Sequence, residues 1–326
     1  MKNKPKDIPY YGVRKSVINE AKPKINSDVL DQLVLYIKQR YRIHIRKDVD
    51  KKPAPWTTNR ILREHRFTNV RREHDKETIW VIKNITSNPD LTYNDKLMNC
   101  LLFRLFNKHE TAELIGIPIK FSQGYEPEDY REIFEKKRQD DPEYRFFTGA
   151  FYTSGLKKHA KRYSPAGTQD NCMKIMYFVD YILRQGFIID QEWTTPDKVI
   201  ESITRVNGIG YFLAYQIFID FTYMDDFPFS ENEFTIAGIG CKRGIDALFD
   251  DKDGMTYEEC LFWLRDNWDD LMDSHYYIWS YDIFSDLPEY DRRMNLMSLE
   301  NCMCELSKYE KIRHGTGRTK SRYNGG

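Results

Sequence analysis

Val206-Asn207-Gly208-Ile209-Gly210-Tyr211 stands between two stretches of helical spacing, and what it forms decides the fold. Upstream, Thr195-Pro196 offers an N-cap and a first-turn proline, and Val199, Ile200, Ile203 and Val206 recur at helical spacing up to a break at Asn207-Gly208. Downstream, Tyr211 to Phe221 carries Phe212, Leu213, Ile217 and Phe218 as candidate apolar anchors. Gly208 and Gly210 lack a Cβ, so the connection can take positive φ and a phosphate can approach the N–H groups that open the second helix. The pattern predicts a helix-hairpin-helix over 196–221 that holds DNA through Asn207, Gly208, Gly210 and Tyr211. The plainer alternative is a glycine-rich turn between two core helices.

The chain has 326 residues, enough to bury a core, and 14% aromatic with 31% charged residues is a globular composition. Net charge is zero, but it is unevenly spread. From Met1 to Arg72, 19 Lys and Arg stand against 7 Asp and Glu, or +12; from Asp246 to Glu300 the balance is 4 against 15, or −11; from Leu306 to Gly326 it is 6 against 1, or +5. Basic ends around an acidic segment suit a protein that touches phosphates on one face, and an internally neutralised surface is the alternative.

Helical spacing recurs along most of the chain, and few segments alternate with period two, so a mainly α fold is expected. Residues 1–27, rich in Lys, Pro and Asn, form a basic flexible arm in this reading, and 28–326 form one helical domain ending in a basic tail. Helices are predicted from Asp28, from Thr58-Asn59-Arg60, over Thr92–Asn107, Thr111–Leu114, Pro127–Arg138 and Asp170–Gln185, after Gly238-Ile239-Gly240, and over Tyr257–Leu271 and Leu299–Ile312. The six cysteines include no C-x-x-C pair and the seven histidines no zinc spacing, so neither a metal nor another cofactor is expected. Cys302-Met303-Cys304 is better placed as half-buried helix residues than as a soft-metal site. No signal peptide or long apolar run is present, which predicts an intracellular, reducing, cytoplasmic setting, nuclear in a eukaryote, with no membrane partner. The P-loop, G-x-S-x-G and H-E-x-x-H patterns are all missing, so nucleotide kinase, serine hydrolase and metalloprotease activities are not expected.

Chemistry concentrates in two places. Phe229 to Gly244 joins the carboxylates Glu231 and Glu233 to a glycine-lined helix start, Gly238 and Gly240, and then to Lys242 and Arg243. A carboxylate here could stabilise a sugar cation or activate a nucleophile, while the helix start and the two cations hold a phosphate or pyrophosphate. Helix capping is the simpler role for either glutamate. The second cluster, Arg66 to Asp75, offers Phe67 and Asn69 to a base and Arg71 and Arg72 to phosphates.

The run Ile61 to Asp75, the hairpin with its Glu-Phe-Thr-Ile-Ala-Gly-Ile-Gly sequel and the segment Cys304 to Arg313 resemble the α-glutamyl/putrescinyl thymine pyrophosphorylase family. That family includes the helical domain attached to 5-hydroxymethyl-deoxyuridine DNA kinases and is similar to helix-hairpin-helix DNA glycosylases. The resemblance implies a glycosylase-like helical fold and a partner DNA carrying hypermodified pyrimidines, as in phage. It also implies a carboxylate soon after the hairpin, Glu233 or, second, Glu231, and DNA contacts that extend to Lys308, Lys311 and Arg313. Phe212 stands near the place of the hairpin lysine of bifunctional glycosylases, so no Schiff-base step is expected. The first expectation is a monofunctional glycosylase excising a 5-hydroxymethyl-derived base, as in defence against phage. The others are a transferase replacing pyrophosphate on the base by an amino donor, and a DNA-binding module without catalysis.

Overall fold

The computed structural model describes residues 13–148, 160–186, 188, 193–274, 284 and 294–316. Its elements, in chain order, are α1 (Lys15–Glu20), β1 (Lys24–Ile25), α2 (Ser27–His44), α3 (Arg60–Glu64), α4 (Lys76–Val81), α5 (Tyr93–Phe106), α6 (His109–Leu114), α7 (Arg131–Asp140) and α8 (Asn171–Gln185). These are followed by α9 (Pro196–Arg205), α10 (Tyr211–Phe221), α11 (Ile239–Leu248), β2 (Phe249–Asp251), α12 (Tyr257–Asp266), α13 (Trp268–Ser274) and α14 (Leu296–Arg313). Helix accounts for 62% and strand for 2%, which bears out a mainly α fold.

Local chemistry explains where the helices begin. The Asn26 and Asn59 side chains accept the Val29 and Leu62 N–H groups, each at 3.2 Å, and so cap α2 and α3. Thr92 with Asp95 and Thr256 with Glu259 form reciprocal capping boxes at α5 and α12. Pro196 occupies the first turn of α9, but Thr195 at its N-cap makes no side-chain cap bond.

The chain divides into two compact units: Met1–Asp75 with Glu231–Gly326, and Lys76–Ser230, which is inserted between them in sequence. In the first unit, α2, α11, α12 and α14 share one core that includes Leu33, Tyr36, Ile37, Cys241, Ile245, Leu261 and Met303. Gly240 and Gly244 set how closely α11 meets α14. A Cβ on Gly240 would run into the Cys304 sulfur, and one on Gly244 into the Met303 carbonyl. All six cysteines are free thiols, with Cys302 buried in this core.

Residues 13–27 of the expected arm are anchored, while 1–12 lie outside the described residues. Arg14 donates to Glu259 from its backbone at 3.0 Å and from Nε and Nη2 at 2.7 Å each, which lowers the Glu259 carboxyl to about 2. β1 pairs antiparallel with β2, Lys24 opposite Asp251 and Ile25 opposite Phe249.

The second unit contains both helices of the hairpin. Gly208 has φ +118°, a conformation that favours glycine, whereas Gly210 is extended at φ −89° and a side chain there would have open space. Ile217 and Phe218 are buried as anchors, but Phe212 is 56% exposed. α10 is held to α5 by a buried fork: Arg104 Nε and Nη2 each donate to Asp220 at 2.5 Å, and Nη1 donates to Asn107 Oδ1 at 2.7 Å. Asn107 ends α5 in the left-handed conformation.

Replacing Asp220 by Ala leaves a buried guanidinium uncompensated and is expected to cost about 3–5 kcal/mol. Gly244→Ala is expected to destabilise by about 1–3 kcal/mol, because two helix backbones must part. Urea unfolding followed by circular dichroism checks both, and a Gly244→Ala protein as stable as the parent contradicts the packing described.

Candidate functional site

Two stretches of the first unit, Arg66–Asp75 and Glu231–Gly238, meet at the start of α14. Asn295 caps that helix, its Oδ1 accepting the Ser298 N–H at 2.7 Å, while its Nδ2 donates to Glu231 Oε1 at 3.1 Å. Asn232 Oδ1 accepts the Leu296 N–H at 2.9 Å, and the Asn232 carbonyl accepts from Arg265 at 2.5 Å. Glu231 is therefore positioned by its own neighbour and by a helix cap. It is half-buried, and burial pushes its carboxyl up, as does the Glu73 charge, against the pull of Asn295 and Arg71. Arg71 is itself buried and donates to Glu73 Oε1 at 3.0 Å, its guanidinium 5.8 Å from the Phe284 ring centre. The other oxygen of Glu73, Oε2, is buried with no hydrogen-bond partner. Two carboxylates and an arginine thus share one partly desolvated place, an arrangement that tunes acids and bases. Glu233 is exposed.

The glycine-lined helix start is occupied by the chain itself. The Gly238 N–H meets Glu300 Oε1 at 3.4 Å, and the Ala237 N–H donates to Glu258 Oε1 at 3.1 Å. Burial raises the Glu300 carboxyl to about 7, against the Gly238 N–H and the Arg72 charge. Gly240 serves the contact with Cys304, Lys242 lies 5.3 Å from the Tyr257 ring centre, and Arg243 is exposed. Burial also lifts the Cys304 thiol to about 12, which places it with the core thiols.

The Arg66–Asp75 segment is laced into its unit. Asn69 accepts from Arg40 at 2.5 Å through its side chain and from Asn301 at 2.9 Å through its carbonyl, and it donates to the His74 carbonyl at 2.6 Å. Phe67 is packed against Tyr36 and Tyr309 at 5.7 and 6.0 Å, with the Lys308 ammonium 4.4 Å from its ring centre. Lys308 also donates to the Arg66 carbonyl, Arg313 pairs with Asp28 and Glu310, and Lys311 is exposed. Asn207, Gly208, Gly210 and Tyr211 belong to the other unit, at the hairpin.

Glu300, Asn295 and the role of Glu73 escaped the sequence reading. Their one signal was indirect: glycines four apart at Gly240 and Gly244 announce a close helix neighbour, and Glu300 lies on it. A further group, Glu77, His109 and Glu110, brings its ligand atoms within 4.8 Å of one another in the second unit. Lys76 lies 3.4 Å from Glu77 and 3.5 Å from Glu110, so a cation already stands against both carboxylates. Among the described residues no helix is long and apolar enough to cross a membrane.

Glu300 provides a test of this electrostatic arrangement. With its folded value near 7 and an ordinary value of 4.5, the folded state binds the proton more tightly, so this group's contribution to stability falls as pH rises through that window. Glu300→Gln is expected to flatten the loss of urea midpoint over that range, and an unchanged pH profile contradicts the assignment.

A family model described as "5-hmdU DNA kinase, helical domain" matches residues 27–319. A "5-hmdU DNA kinase" of Bacillus phage SP10 is 24% identical over 300 residues, which are 88% of this chain and 46% of the relative, so the chain spans about half of that protein. No solved structure matches, and neither match carries the pyrophosphorylase name or a glycosylase relation. The relative is named for phosphorylation, which contradicts the expected base excision, and neither pyrophosphate replacement nor a non-catalytic helix-hairpin-helix module finds support in the matches. The missing P-loop pattern concerns this chain alone, since more than half of the relative lies outside the match. Since the match takes in nearly all of the chain, the protein belongs to the family of 5-hmdU DNA kinase helical domains.

Proposed function

We propose that the chain acts on 5-hydroxymethyl-deoxyuridine in DNA and takes part in phosphorylating its hydroxymethyl group. The family match over residues 27–319 is the observation that carries this. In such a transfer the hydroxymethyl oxygen bonds to the terminal phosphorus of a nucleoside triphosphate. The bond from that phosphorus to the departing diphosphate breaks, and the hydroxyl proton passes to a base. Glu231 has the properties of that base: it is held by Asn295, partly buried, and burial raises its proton affinity above that of an ordinary carboxylate. The Glu73 charge helps to raise the proton affinity of Glu231, and Arg71, which donates to Glu73, limits the charge of the pair. Glu233, being exposed, is the weaker choice. Contacts to the DNA backbone are assigned to Lys311 and, in the other unit, to the Asn207–Tyr211 hairpin, whose second helix starts without a side-chain cap.

The test uses duplexes that differ in one base, thymine or 5-hydroxymethyluracil. The hydroxymethyl duplex is expected to bind about five- to tenfold more tightly, the worth of one well-made hydrogen bond. With Mg²⁺ and terminally labelled ATP, label is expected in its modified nucleotide after digestion. Glu231→Gln is expected to lower labelling by about 100-fold or more while leaving DNA affinity nearly unchanged. Equal binding of the two duplexes together with unlabelled product would overturn the proposal.

A further inference from the structure

A cavity of about 410 Å³ opens in the first unit between the end of α2, the loop before α3, and the stretch from α3 to Phe67. Its volume is that of a small-molecule site. Ile43, Leu62 and Phe67 give it an apolar side, and the Trp56 indole gives it a flat one. Trp56 is held at its ring and at its backbone: Nε1 donates to the Lys52 carbonyl at 2.7 Å, and the Trp56 carbonyl accepts from Arg46 at 2.8 Å. Around these surfaces stand Arg40, Lys47, Arg63 and Arg66, against one carboxylate, Asp75. Arg40 is oriented by its bonds to the Phe67 carbonyl at 3.2 Å and to Asn69, and Lys47 lies 5.3 Å from the Trp56 ring centre. Arg63 is exposed and makes no hydrogen bond or ion pair among the described residues.

We propose that this cavity binds a nucleotide, its ring against Trp56 and its phosphates among Arg40, Lys47, Arg63 and Arg66. Each simpler ligand leaves something unmatched. A metal ion would meet four cations, an uncharged aromatic would bring no negative charge to a mainly cationic lining, and a bare phosphate would leave the indole and the apolar side unused. A flat π-system joined to two or more negative charges answers all of them. The nucleotide comes either free, as a nucleoside triphosphate, or as one unit of a DNA strand. The proposal does not rest on the kinase function, since it requires neither a modified base nor a transfer.

Calorimetric titration of the full chain tests it without modified DNA. ATP is expected to bind at least about tenfold more tightly than either adenosine or inorganic pyrophosphate, because both the ring and the phosphates are held. The double variant Arg63→Glu, Arg66→Glu changes two exposed residues and is expected to lose about tenfold or more in ATP affinity while still unfolding cooperatively on heating, which shows that it is folded. Trp56→Ala is expected to weaken ATP about fivefold or more and pyrophosphate hardly at all. A thymidylate oligonucleotide that displaces ATP identifies the DNA strand as a source of the nucleotide, and one that does not leaves the free nucleotide; either result supports the site. Three outcomes overturn it: no binding of ATP or the oligonucleotide up to about 1 mM, pyrophosphate binding as tightly as ATP, or the double variant binding ATP like the parent.

Discussion

Where α11 crosses α14, the backbones come so close that no side chain fits at Gly240 or Gly244. The polar groups of the first unit take their places from this crossing. It brings the start of α11 against α14, so that the Gly238 N–H reaches Glu300, and Asn295 at the head of α14 reaches Glu231. A wider crossing would leave Glu300 half-buried with its N–H partner out of range, and a carboxylate in that position without a donor is costly. The tightness of the packing and the perturbed acids are therefore one fact: a carboxyl is pushed to about 7 because the helices that enclose it cannot part.

Much of the framework was legible in local chemistry. Caps at Asn59, Thr92 and Asp170, the proline of α9 and the periodicity of α2, α5 and α8 lie in neighbouring residues, so helices could be placed within a residue or two. The division into two units was not legible, because the core of the first joins α2 to helices more than 200 residues later. The glycines after Phe234 carried an ambiguous message for the same reason. A glycine may admit a phosphate or another helix, and only the partner, Cys304 or Met303 here, decides which. Arg104 shows the same limit: near the end of a helix it reads as a solvated cation suited to the dipole, yet its partner Asp220 stands 116 residues away and both are buried.

The candidate site divides along the same line. Glu231 could be named from the sequence, because an acidic run after a glycine-rich turn is a local pattern. Its standing above Glu233 comes only from Asn295, Arg71 and Glu73, which lie in two other stretches of chain. The basic residues expected to meet DNA sort in a similar way. Lys308 and Arg313 are engaged within their own unit, and Lys311 on the same helix is exposed.

The charge blocks acquire a different meaning once folded. The basic segment to Arg72 and the acidic segment from Asp246 to Glu300 lie in one unit, and they meet directly: Arg14 on Glu259, the Lys22 N–H on Asp253, and the Asn26 amide on Asp250. Arg313 of the basic tail closes on Asp28 in the same way. The opposite charge blocks therefore meet, in part, within one unit. Around Trp56, four cations and one carboxylate line the same cavity, a balance that favours an anionic ligand. The same logic separates the two acidic places. Glu300 faces an N–H and an arginine's field, which is a settled arrangement, whereas Glu73 and Glu231 share one arginine and leave an oxygen unpartnered.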